Sequence, residues 1–141
     1  MRVANRGGQI GQDAMSAAAT DRLIASSYLT RAEDLLAKQS KRSVEDNRPH
    51  IARTLRISSA TVRNIRRARR QTVPGWLKEK IIGLFVDAAQ AELRAIQNEI
   101  DIARQIGLGN HDSKLVAARA RAAALVEILD DVALEGTGDP Q

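Results

Sequence analysis

The sequence predicts an all-α protein, and three observations carry that expectation. Aromatic residues make up only 2% of the 141 residues while hydrophobic residues make up 43%. The apolar content is therefore mostly Ala, Leu, Ile and Val, side chains that interdigitate between packed helices. Apolar residues recur at spacings of three and four over most of the chain, the helical period, and no run alternates as a half-buried strand would. Turn-forming residues cluster in a few short stretches, which cut the chain into long helical pieces rather than many short strands.

The first eighteen residues contain three Gly and show no period. They read as a disordered N-terminal arm, in which Met1 and Met15 both offer a translation start. Over 20–38, Leu23, Ile24, Tyr28, Leu29, Ala32, Leu35 and Leu36 form one apolar face, with Thr20 as N-cap and Asp21 favoured by the helix dipole. The polar stretch 38–46 interrupts this pattern. Asn47 then caps a short helix, with Pro49 in its first turn and Ile51, Ala52 and Leu55 as its buried stripe. Ser58 caps a third helix that runs to about Ala68. "TVPG" at 72–75 is a turn.

A long fourth helix is expected from Trp76, read as an apolar anchor, to about Ile106. Its stripe is Ile82, Val86, Ala89, Leu93, Ile96, Ile100 and Ala103, alternating steps of four and three as in a coiled-coil seam. Gly107 takes the left-handed cap. Asp112 or Ser113 caps a last helix to about residue 134, with Leu115, Ala118, Ala122, Leu125, Leu129 and Val132 on one face. The domain map is thus an arm (1–18), a basic three-helix unit (19–75), an antiparallel helical hairpin (76–134) and a frayed tail (135–141).

Charge singles out one region. Between 41 and 80 there are twelve Lys and Arg against three acids, a net +9, whereas the whole chain carries +5 and the remainder therefore −4. A basic block inside a mildly acidic chain is a localised footprint for a polyanion. Its densest part is "ISSATVRNIRRARR" at 57–70, with five arginines. On a wheel of about 100° per residue, Ser59, Ala60, Arg63, Asn64 and Arg67 share one arc of about 140°. Val62 and Ile65 point the other way, and Arg66 lies at the border. The exposed arc offers guanidiniums for guanine, a carboxamide for adenine and a methyl for thymine, which are major-groove reading groups. Phosphate contacts are expected from Lys41, Arg42, Arg53 and Arg66 around it.

Residues 48–67, "RPHIARTLRISSATVRNIRR", have helix-turn-helix spacing. Ala52 allows close approach of the two helices, Leu55 and Ile57 flank the turn, and Val62 with Ile65 holds the second helix on the first. With "RRARRQTVPGWLKEKIIGLF" after it, the segment 20–86, about half of the chain, resembles the phage-repressor-like helix-turn-helix proteins of the Cro or XRE type. That resemblance implies base contacts from Ser59, Ala60, Asn64 and Arg63. It implies phosphate contacts from Arg48 and from the loop Arg69, Arg70, Gln71 and Thr72. Two features depart from the family pattern. Arg56 stands where the turn usually has Gly, and the nine residues 39–47 before the motif are longer than usual.

A solvated basic helix face on an unrelated helical bundle and an arginine-rich RNA-binding helix are the alternatives; RNA-binding helices of that kind usually lack the buried Val62/Ile65 pair and the preceding helix with its small residue. The expectation is sequence-specific binding of double-stranded DNA by a homodimeric, cytoplasmic, nucleoid-associated transcriptional regulator of bacterial or phage type, a repressor by resemblance. Ile82, Val86, Ala89, Leu93, Ile96, Ile100, Leu125 and Leu129 are expected to form the oligomer contact. A DNA-packaging recognition subunit of the small-terminase kind, which assembles as a ring, and a nucleoid-type architectural protein remain as alternatives.

Other classes are disfavoured. No cysteine is present, so disulfide scaffolds, thiolate zinc sites and Cys nucleophiles are excluded. No apolar run reaches the ~20 residues of a membrane span, and Arg2 and Arg6 precede no signal-peptide core. His50 and His111 lie in no metal-binding pattern, and Asp130 and Asp131 point about 100° apart on a helix. No enzyme, cofactor or small-molecule site is expected.

Overall fold

The structure is a computed structural model. It describes residues 2–69 and 72–137, with side chains over 20–69 and 72–133. Five helices and their connections account for the described residues: α1 (Arg2–Ser40), α2 (Val44–Leu55), α3 (Ser59–Arg66), α4 (Gly75–Gln105) and α5 (Ser113–Thr137). The protein is all-α, as its composition implies. The chain divides into two compact units between Phe85 and Val86. No helix among the described residues is long and apolar enough to cross a membrane.

α1 begins at Arg2, not at Thr20. The stretch read as a disordered arm has no proline to stop a helix, and Ala14, Ala17, Ala18 and Ala19 are strong helix formers. Asp21 is consequently inside α1 and not in its first turn; its carboxylate accepts a hydrogen bond from Lys78 Nζ at 3.0 Å, tying α1 to α4. α5 runs past the expected end at residue 134, to Thr137.

In the first unit, Ala25 and Leu29 of α1, Ile51, Ala52 and Leu55 of α2, Val62 and Ile65 of α3, Val73, and Leu77 and Ile81 of α4 form one buried cluster. Tyr28 of α1 packs against Phe85 with ring centroids 5.2 Å apart. The anchor at the start of α4 is Leu77, buried to 1% exposure, and not Trp76, which is 52% exposed. The two residues project about 100° apart on the helix, so only one can enter the cluster. The slimmer leucine does, and Trp76 lies on the surface with Lys80 Nζ 5.4 Å from its ring centroid.

α2 starts four residues earlier than expected. Ser43 is its N-cap, and its Oγ accepts from the Asp46 backbone N–H at 3.1 Å. Asn47 is buried instead, and its amide donates to Ser40 Oγ at 2.8 Å, joining the ends of α1 and α2. Pro49 therefore falls beyond the first turn. α3 starts where expected, with Ser58 Oγ accepting from Thr61 N–H at 3.0 Å. It ends at Arg66, two residues short of the expected Ala68.

The helix ends share one solution. Arg42 N–H donates to Ala37 C=O, Ile57 N–H to Ala52 C=O, Arg69 N–H to Asn64 C=O and Leu108 N–H to Ala103 C=O. Each such bond spans a residue in the left-handed region: Lys41, Arg56, Ala68 and Gly107. This is the Schellman closure, which satisfies carbonyls left free at a helix end. Only Gly107, with φ 89°, is the residue type that adopts it freely. Arg56, with φ 59° and ψ 44°, holds the turn between α2 and α3 at a backbone cost of roughly 1–2 kcal/mol. Arg56→Gly should stabilise the protein by about 0.5–1 kcal/mol, because glycine's extra unfolded-state freedom offsets part of the relieved strain. A higher urea midpoint at unchanged slope is the expected observation.

In the second unit, Ala88, Ala89, Glu92 and Ile96 of α4 and Leu115, Ala118 and Val132 of α5 are buried. Asp112 caps α5, its Oδ1 accepting from Lys114 N–H at 2.9 Å. Arg121 of α5 pairs with Glu99 of α4 at 2.6 Å. Both side chains are largely exposed, so the pair adds little, about 0–1 kcal/mol. The buried residues of α4 as a whole are Leu77, Ile81, Phe85, Ala88, Ala89, Glu92 and Ile96. Most of them lie one residue before the expected stripe, of which Ile82, Val86, Leu93, Ile100 and Ala103 are only half-buried. The apolar face of α4 is wide enough to hold both stripes, and Glu92 breaks the buried one to the eye.

Candidate nucleic-acid interface

α3 has only eight residues, too few to persist alone. Its position comes from Val62 and Ile65, both at 0% exposure in the first unit's cluster, and from its N-cap. Once those two are buried, the helix period leaves Ser59, Ala60, Arg63 and Arg67 exposed and Asn64 half-buried. Ser58 Oγ and Thr61 Oγ1 lie 2.8 Å apart beside them. On α2, Pro49, His50, Arg53 and Thr54 are exposed, and the Thr54 hydroxyl is turned back to the His50 carbonyl at 3.0 Å. In the loop after α3, Arg69 and Thr72 are exposed, whereas Arg70 and Gln71 lie outside the described residues. Lys41 and Arg42 are exposed in the connection between α1 and α2.

The arginines of α2, α3 and the loop after α3 fall into two groups. Arg53, Arg63, Arg67 and Arg69 are exposed, and no acid among the described residues pairs with them. Arg48 and Arg66 face inward. Arg48 Nη2 lies 3.7 Å and Arg66 Nε 3.8 Å from the same oxygen, Glu33 Oε2, with side-chain exposures of 14% and 32%. Glu33 itself is fully buried, and neither of its oxygens accepts a hydrogen bond among the described residues. Burial pushes the Glu33 carboxyl up from its usual value, against the opposing pull of Arg66 and then Arg48. The carbonyl of Arg66 accepts from Ser26 Oγ at 2.7 Å, a second tie between α3 and α1.

Neither the charge block nor the helix-turn-helix spacing points to Glu33. A signal existed: position 33 is four residues after Leu29 and three before Leu36, so it lies on the apolar face of α1. A lone acid on such a face needs a cation turned toward it, and the basic block supplies two.

The expected oligomer residues divide as well. Ala89 and Ile96 are already buried within the second unit, so neither is free to meet another chain. Ile82, Val86, Leu93, Ile100, Leu125 and Leu129 are half-buried, and Ile102, Ile106, Val116 and Val126 are exposed. Among the described residues no three His, Cys, Asp or Glu side chains are grouped as a metal site would require. His50 and His111 are both exposed. No protein-family model, curated protein or solved structure matches the chain.

Proposed function

We propose that α2 and α3 act as a helix-turn-helix that binds double-stranded DNA sequence-specifically, with α3 in the major groove, and that the protein is a homodimeric transcriptional regulator of bacterial or phage type. The observation that carries this reading is the division of α3. Its buried side is Val62 and Ile65. Its free side carries two guanidiniums that pair with no acid among the described residues, a carboxamide, a hydroxyl and a methyl. A merely solvated basic face would need no such mixture, and a polyanion-binding patch would not place reading groups between its arginines.

Arg53 and Arg69, exposed and without an acidic partner among the described residues, take phosphates around α3, with Thr72 and Lys41 in the same basic block. The second half of α4 and α5 form an antiparallel hairpin whose half-buried Leu93 and Ile100 and exposed Ile102 and Val116 meet a second copy. Two copies double the base contacts and fix the half-site spacing.

Arg69→Ala tests the division of labour. Removing one phosphate contact should weaken all duplexes alike and flatten the slope of log K against log salt by about one unit. Fluorescence anisotropy on several duplexes across a salt series reads this directly. A loss confined to one sequence would contradict a phosphate role for Arg69.

A further inference from the structure

Eight arginines lie on or beside α2 and α3 among the described residues: Arg48 and Arg66 converge on Glu33, and Arg42, Arg53, Arg56, Arg63, Arg67 and Arg69 do not. Glu33 comes from α1, Arg48 from α2 and Arg66 from α3, so the three helices of the first unit meet at one charge cluster. Its geometry is uneven. One oxygen, Oε2, faces both guanidiniums, and the carboxylate has no access to water. Both cations were expected at phosphates from sequence.

We propose that Glu33 is a positioning residue that withholds Arg48 and Arg66 from anionic partners, so that the basic face consists only of cations interleaved with base-reading groups or flanking them. The inference rests on the DNA-binding reading for its biological meaning, although the withholding itself can be read without DNA.

The competition favours the interior. A charge pair in protein surroundings attracts about four times more strongly than the same pair at the same distance in water. The attraction to a phosphate is further screened by salt beyond a Debye length of about 10 Å. Arg48, the less exposed of the two, has little freedom to leave. Arg66 sits at the edge of α3 and is a third exposed, so it is the cation that Glu33 most directly restrains. Phosphate contacts add affinity without sequence information. Two further cations turned outward would raise binding to every duplex and dilute the share contributed by Asn64, Arg63 and Arg67. Glu33 thereby favours discrimination over raw affinity.

The test uses the full chain and two variants. Glu33→Gln keeps the shape of the side chain and removes its charge. Released Arg66 should then steepen the slope of log K against log salt by about one unit, and the ratio of affinities for preferred and random duplexes should fall. Arg66→Gln should leave the salt slope at the wild-type value, because Arg66 holds no phosphate in the parent. An unchanged slope in Glu33→Gln overturns the proposal. So does a slope flattened by about one unit in Arg66→Gln, and this second variant decides if Glu33→Gln does not fold. Elution from immobilised heparin, a polyanion with no bases, separates this inference from the DNA reading. Later elution of Glu33→Gln than wild type supports withholding even if no duplex is bound, an outcome that would sink only the proposed function. Equal elution overturns withholding.

Discussion

Ile65→Ala is expected to destabilise the first unit by about 2–5 kcal/mol, the range for an isoleucine truncated in a packed core. Ile65 has 0% exposure and belongs to the cluster that joins α1, α2, α3 and α4. The lost methyl and methylene groups remove their transfer energy, and the cavity left behind adds to the cost because it opens inside a packed cluster to which four helices contribute. The consequence for α3 exceeds that for the unit as a whole. An eight-residue helix has little intrinsic stability, and Val62 alone would have to hold it. The orientation of Ser59, Arg63 and Arg67 depends on that anchorage. Urea unfolding followed by circular dichroism should show a lower midpoint, with DNA affinity falling more than the stability loss alone requires. A change within about 0.5 kcal/mol, the usual range at surface sites, would mean that α3 does not pack as described.

Asn64→Ala should relax discrimination at one base pair by about 1–3 kcal/mol, the worth of a bidentate carboxamide–adenine contact. Asn64 is half-buried at the edge of the exposed arc, and its side chain has no hydrogen bond among the described residues. Its backbone carbonyl accepts from Arg69 N–H at 2.8 Å, a bond that alanine retains. The variant therefore separates reading from folding: stability should change little while one position of the site loses its preference. Competition with a set of singly substituted duplexes measures this. A uniform loss across all duplexes would place Asn64 at the backbone rather than at a base.

The features legible in the sequence were those set by local chemistry. Ser58 as the cap of α3, Gly107 as the left-handed residue after α4, and the burial of Val62 and Ile65 follow from capping and period alone. The structure departs from the sequence pattern where two residues could fill one role. Ser43 and Asn47 are both good caps four positions apart; tertiary contact decided, because Asn47 is needed against Ser40. Trp76 and Leu77 compete for one place in the cluster. In α4 the two adjacent stripes have the same period, and which one is covered depends on neighbours that the sequence does not order in space. Glu33 is the clearest case. Its partners lie 15 and 33 positions further along the chain, and only the folded unit brings them to one oxygen. Arg48 and Arg66 looked like any other arginines of the block for the same reason.

Selection of bound sequences from a random duplex pool tests the central claim most directly. The account predicts enrichment of a defined sequence, arranged as an inverted repeat of two half-sites whose centres lie about one helical turn, or a multiple of it, apart. That single result would report base reading by α3 and two-fold assembly together. A pool that binds through the basic block yet emerges without any preferred sequence would contradict it.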